Sequence, residues 1–270
     1  MAAASERPLA VVTGASSGIG LELARQFAEH DYDLLVAAED AGIHSAAEQL
    51  RGPGGTVEAE QVDLATREGV EQLYRRIRAL GRPVDAIAIN AGVGVGGPFI
   101  DTDLEADIRL IGLNVTGVVH LSKLILRDMV TRGEGKVLYT SSIAADMPAP
   151  YEATYGASKA FELSFAEALR NELKDTDITI TALQPGPTET NFFTRAGLED
   201  TKVGQAKKDD PADVARKGFE ALMAGKDKVV AGAFKNKMQD AMAQVLREPA
   251  KAELHAKQTK PGSGKKSKKS

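Results

Sequence analysis

Short apolar runs alternate with amphipathic helical stretches along most of this chain, and that alternation constrains the fold more than any other feature. Residues 8–13, 32–38, 56–62, 84–90, 136–141, 178–184 and 228–231 read as strands. Helical spacing fills the intervals at 19–30, 45–51, 66–80 and 104–131, and in a stretch running through Tyr155 to about Lys174. Strands separated by helices form βαβ units, whose parallel strands are covered by helices on both faces. Their crossovers are right-handed. The expectation is an α/β fold, a single-domain, doubly wound parallel sheet of about seven strands. No linker divides residues 1–255, which are read as one domain. Residues 188–210 break the rhythm and are expected to form a binding lid, with a disordered loop as the alternative. The spacing of Phe234, Met238, Met242 and Val245 predicts one further amphipathic helix.

Composition narrows the chemistry. The chain has no cysteine, which removes disulfides, iron–sulfur clusters and thiolate catalysis and fits a reducing compartment. No apolar run is expected to reach bilayer length, and residues 1–8 lack the layout of a signal peptide. A cytoplasmic protein without a membrane partner is expected. From Lys257 onward there are six lysines and no acid; taking those charges from a net −4 leaves −10 on the remainder. An acidic body disfavours nucleic acid as a partner. Residues 256–270 are expected to be a disordered Lys-rich tail. The four histidines are scattered without H-x-x-x-H spacing, so no metal site is expected, and G-x-S-x-G is absent.

Two local patterns carry chemistry. Thr13-Gly14-Ala15-Ser16-Ser17-Gly18-Ile19-Gly20 follows the first strand and opens the first helix. Glycines there allow a tight turn and close approach to a pyrophosphate, while the helix N-terminus offers free N–H groups. The spacing is neither G-x-G-x-x-G nor a P-loop. The second pattern is Tyr155-Gly-Ala-Ser-Lys159. Four residues apart on a helix, the phenol and ammonium share a face, and the positive charge is expected to lower the tyrosine's pKa toward a useful range. By itself such a pair is a weak signal, and its usual reading is an exposed helix contact.

Taken in order, Thr13-Gly14…Gly18-Ile19-Gly20, Val62-Asp63-Leu64, Asn90-Ala91-Gly92, Asn114, Ser141-Ser142, Tyr155…Lys159 and Pro185-Gly186 resemble the motifs of the classical short-chain dehydrogenase/reductase family. The resemblance spans roughly residues 8–232. It implies a Rossmann-type fold and an oxidoreductase that transfers a hydride between a nicotinamide cofactor and a carbonyl or secondary alcohol. Tyr155 then resembles the catalytic acid/base, Lys159 its activator and a ribose ligand, Ser142 the hydroxyl on the substrate oxygen. Asn114 resembles the holder of a relay water; its alternative is a buried polar residue satisfied by local backbone. Ser141 is set aside because strand alternation points it to the other face.

The same resemblance implies cofactor contacts from Gly14, Ser16, Ser17, Gly18, Ile19 and Gly20 at the pyrophosphate. Asp63 and Leu64 would meet the adenine, with an N-cap of the next helix as the alternative for Asp63. Asn90, Ala91 and Gly92 would flank the cofactor, and Pro185, Gly186, Thr188 and Thr190 would hold the nicotinamide. Family members that prefer NAD often carry an acid where Ala38 stands; those that prefer NADP often carry a base at the position of Glu39 or Ser17. With Glu39 and Asp40 present and no Arg or Lys beside them, NAD(H) is expected over NADP(H), with Glu39 on the ribose. The family also implies a homodimer or homotetramer. Rival readings are a non-catalytic nucleotide sensor or a scaffold protein on the same fold. Substrate identity is not legible beyond a small carbonyl or alcohol.

Overall fold

The computed structural model describes residues 7–52, 55–232 and 248–264. Seven parallel strands form one sheet in the order β3-β2-β1-β4-β5-β6-β7. They are β1 Leu9–Thr13, β2 Asp33–Ala38, β3 Val57–Gln61, β4 Ala86–Ile89, β5 Glu134–Thr140, β6 Asp177–Pro185 and β7 Lys228–Ala231. Helices α1 Gly18–Glu29, α2 Gly42–Leu50, α3 Arg67–Ala79, α4 Leu104–Ile111, α5 Val118–Arg132, α6 Ala153–Glu172 and α9 Pro211–Met223 surround it. Two short helices, α7 Phe192–Arg195 and α8 Lys202–Gln205, and a C-terminal helix, α10 Glu248–Thr259, complete it.

Alternation along each strand feeds two separate cores. Leu9, Val11 and Leu35 face α3, α5 and α6 with Leu73, Ile125 and Leu163. Ala10, Val12, Leu34 and Val36 face α1, α2 and α9 with Leu23, Ile43 and Phe219. Phe27 on α1 meets Phe219 on α9 edge-on at 5.2 Å. Burying such a ring contributes about 1.5–3 kcal/mol. The β3 edge carries Glu58 and Glu60, paired with Arg76, and like charges along an edge discourage pairing with another chain. Side chains set the helix starts: Thr66 accepts from Gly69 N at α3, and Asp210 from Ala212 N at α9, where Pro211 takes the first turn.

Three features depart from the sequence expectation. The helix expected over 104–131 is broken by a π-helical turn, Gly112–Gly117, between α4 and α5. A Cβ on Gly117 would lie 2.3 Å from Leu64 O, and one on Gly112 would lie 2.9 Å from Ala65 O. The two glycines therefore let this turn press against the loop after β3. By length and hydropathy the run Leu104–Arg132 could cross a bilayer, contrary to the expectation that no run reaches that length. Its Leu121, Ile125 and Met129 instead sit in the core beside the sheet.

The segment 188–210 contains α7 and α8 and is tied back by a Thr188–Asp209 bridge. Finally, α10 runs through the boundary expected at residue 256. Thr259 is buried and its hydroxyl donates to Pro150 O at 2.8 Å, while the amides of Gly262 and Gly264 bond Asp200. These contacts order residues 256–264, which the expected disordered tail would have included; residues 265–270 lie outside the described residues. So does the helix expected over 234–245.

Candidate active site

A cavity of about 380 Å³ opens at the carboxyl ends of the strands, where β1 and β4 lie side by side and the strand order reverses. In open α/β sheets ligands bind at this switch point. Every site residue expected from the sequence lines it except Asn114. The glycine turn forms its floor. Gly14 and Gly18 take positive φ, 67° and 57°. A Cβ on Gly14 would stand 2.8 Å from Ala91 Cα, and one on Gly20 only 2.1 Å from Gly14 O. Asn90 locks the turn, donating from Nδ2 to Thr13 O at 3.1 Å, while the amides of Asn90 and Ala91 donate to Thr13 Oγ1. The N-terminus of α1 thus faces the cavity.

At one end of the cavity Ser16 donates to Asp40 at 2.7 Å. Asp63 accepts from Ala65 N at 2.9 Å, and Thr66, not Asp63, caps α3. Arg109 from α4 reaches over this end, donating to Asp63 at 2.9 Å and to Glu39. Burial would raise the Asp63 carboxyl, but the bonds from Arg109 and Ala65 outweigh it and hold the group below its ordinary range. The sequence expectation of no cation near Glu39 is therefore corrected. Arg109 is distant in sequence from both acids, and only the packing of α4 beside the end of β3 unites them.

At the other end Tyr155 and Lys159 lie on one face of α6, with Nζ 5.9 Å from the ring centroid. Ser142, just past β5, bonds the Tyr155 phenol and accepts from Ala144 N at 3.1 Å. Ser141 turns away and donates to Lys159 O at 2.8 Å. Thr190 packs across onto Gly18, and Thr188 donates to Gly186 O at 2.8 Å. Asn114 sits in the π-helical turn, fully buried behind Gly92. Its side chain bonds Val93 N and O and Ser158 Oγ at 2.9–3.1 Å. As found, its polar atoms are committed to local partners, among them Val93 of the cavity wall.

Lys159 has a partner that sequence reading missed. Its Nζ donates to Thr140 O and to both carboxylate oxygens of Glu162, each at 2.9 Å, with both side chains 5% exposed or less. The spacing Lys-x-x-Glu on one helix was the available signal. The Tyr155 phenol is also not lowered. Burial raises its pKa, the charges of Glu152 and Glu162 raise it further, and the Ser142 bond only partly opposes them. Burial is the largest cause of the difference from the sequence expectation, and an ammonium clasped by a carboxylate exerts little net field to offset it.

The remaining wall is largely apolar. Phe192 lies 5.0 Å from the Tyr155 ring, with Met147 and Val203 nearby. Helix α10 adds His255, Gln258 and Thr259, and His255 meets the buried carboxylate of Glu152 at 3.3 Å.

A seven-stranded parallel sheet with a glycine cradle at its switch point is the Rossmann dinucleotide-binding architecture. The chain belongs to the short chain dehydrogenase family, whose model matches residues 8–200. It is 31% identical over 223 residues to the Mycobacterium bovis protein named "Probable oxidoreductase EphD", covering 82% of this chain and 38% of that relative's length. It is 30% identical over 214 residues to "Oxidoreductase UcpA" of Salmonella typhimurium, covering 79% of each. Among solved structures, a short-chain dehydrogenase from Sphingobium yanoikuyae in complex with NADPH superposes with a TM-score of 0.79 at 28% identity, over 88% of this chain and 93% of the other.

Proposed function

We propose that this chain is a nicotinamide-dependent oxidoreductase interconverting a carbonyl and a secondary alcohol, with Tyr155, Lys159 and Ser142 as its catalytic residues. The carrying observation is that this trio shares one cavity with the glycine cradle. The cradle suits a bound dinucleotide: glycines fill positions where a Cβ would collide, and a helix N-terminus faces the pyrophosphate position. The cofactor supplies or accepts a hydride at its nicotinamide ring. In reduction, the Tyr155 hydroxyl gives its proton to the carbonyl oxygen while Ser142 Oγ donates a hydrogen bond to the same atom. In oxidation Tyr155 takes the proton back, while Ser142 Oγ still donates to the same oxygen. Asn114 shapes the wall behind Gly92, next to Lys159 Nζ, where a proton-relay water would sit. Thr188 and Thr190 border the nicotinamide end. The relatives' names, both oxidoreductases, support this reading over a non-catalytic sensor, as does the retained Tyr–Lys pair.

Ser142→Ala is expected to lower kcat by about 10²-fold, the usual cost of losing one donor to a developing oxyanion. A kcat within a factor of two of wild type would remove Ser142 from the reaction. The broad test is a panel of carbonyls and alcohols read at the nicotinamide absorbance band; no change with any member would refute the proposed activity.

NAD(H) remains the favoured cofactor, although the Sphingobium relative is described with NADPH. On this reading Glu39 contacts the adenosine ribose; in the structure it holds Arg109. A 2′-phosphate would meet that carboxylate and an arginine already shared with Asp63. Glu39→Gln keeps the shape and frees one side of Arg109. The expected result is a rise of about tenfold in the NADPH-to-NADH ratio of kcat/KM, equivalent to about 1.4 kcal/mol. An unchanged ratio would show that Glu39 does not set the preference. A homodimer or homotetramer is supported by exposed Leu104, Ile108 and Ile111, which form an apolar stripe along α4 into the π-helical turn. A cytoplasmic setting is consistent with the absence of cysteine.

A further inference from the structure

Glu162 is a buried acid behind this cavity, in contact with Lys159, that the proposed reaction does not use. It lies on α6 one turn past Lys159 and two turns past Tyr155, on the same inward face. Both its oxygens take bonds from Lys159 Nζ at 2.9 Å, and only Thr140 O completes the ammonium's set. Its side chain is 3% exposed, so solvent neither screens the pair nor replaces it. The ammonium is held 5.9 Å from the centre of the Tyr155 ring.

We propose that Glu162 is a positioning residue that clamps the Lys159 ammonium and offsets its charge, so that Tyr155 stays protonated and the site is set for proton donation to a carbonyl. This rests on Tyr155 being the proton donor. An unopposed ammonium beside a phenol favours phenolate, the form needed to take a proton from an alcohol. An ammonium already paired with a carboxylate does not. The chain therefore favours carbonyl reduction at neutral pH.

Other charged groups near this corner leave the assignment intact. Glu152, at the start of α6, adds a second negative charge near Tyr155 and is met by His255 from α10. Asp146, on the 3-10 turn after Ser142, is bonded by Gln184. Asp107 on α4 is bonded by Thr102. Asn114 and Ser158 are neutral. Burial pushes the Glu162 carboxyl above its ordinary range, and the charge and bonds of Lys159 oppose that push.

The test replaces the charge and keeps the shape. In Glu162→Gln the amide oxygen and Thr140 O still accept from Lys159, while the negative charge is gone. Removing a negative charge near a phenol lowers its pKa, so tyrosinate forms at lower pH. With tyrosine labelled at Cζ with carbon-13, and the Tyr155 resonance assigned by its loss in Tyr155→Phe, the cofactor-free variant is expected to show about tenfold more tyrosinate at residue 155 than wild type at the same alkaline pH. Glu162→Asp, which keeps the charge, is expected to return the curve toward wild type. If Glu162→Gln fails to fold, Glu162→Met supplies the same comparison. In turnover, the acid limb of alcohol oxidation is expected to move about one pH unit lower in Glu162→Gln, and the alkaline limb of carbonyl reduction with it. A Tyr155 titration unchanged or shifted upward would overturn the proposal. The resonance arm needs no turnover, so a protein inactive on every carbonyl would count against the proposed function without deciding the role of Glu162.

Discussion

Tyr155→Phe is expected to lower kcat by about 10²–10⁴-fold, the range for losing a positioned general acid. The phenol is buried, bonded by Ser142, and packed against Phe192 at 5.0 Å between ring centres. Removing one oxygen leaves that ring packing in place. The glycine cradle and the Arg109 end of the cavity belong to other elements and are untouched. Dinucleotide affinity, measured by fluorescence or calorimetry, is therefore expected to stay within about threefold, well under 1.4 kcal/mol. A variant that keeps its turnover would show that a different group carries the proton. One that loses binding as well would show that the ring's role is structural.

Gly20→Ala is the second large effect. The added carbon would stand 2.1 Å from Gly14 O and 2.5 Å from Asn90 Nδ2. Neither can yield cheaply: the first is backbone in a turn with positive φ at Gly14 and Gly18, and the second is the clasp that holds Thr13 O. Overpacking a closed site of this kind costs about 1–3 kcal/mol, felt in folding, in cofactor binding or in both. A fall of several degrees in Tm with at least a tenfold weaker dinucleotide Kd is expected. Gly52→Ala is the control, since Gly52 has nothing within 4 Å of the added carbon. Equal behaviour of the two variants would show that the cradle tolerates side chains and does not approach a ligand closely.

The sheet was legible in the sequence because each inner strand is buried on both faces and bounded by amphipathic helices, as in β1 with five buried residues. The cavity was legible because its glycines, Asn90-Ala91-Gly92, Ser142 and Tyr155 each sit at a strand end or on a helix face that the alternation had already located. What escaped depends on contacts between distant segments. The π-helical turn has the same apolar spacing as a straight helix; only its press against Leu64 and Ala65 reveals why Gly112 and Gly117 are glycines. Arg109 joins Glu39 and Asp63 from 70 and 46 residues away. The order of α10 rests on Thr259 meeting Pro150, 109 residues apart, within a stretch whose composition reads as a tail. Glu162 was within reach at three residues from Lys159, but reading the lysine only toward the tyrosine hid it.

Hydride transfer by the Tyr155–Lys159–Ser142 set is most directly tested with NADH deuterated at the transferring position of C4 and a reducible carbonyl. One deuterium on the carbinol carbon per NADH consumed, at a rate that collapses in Tyr155→Phe, is the result this account predicts. Alcohol formed without deuterium, or bound NADH that no carbonyl in a broad panel oxidises, would contradict it.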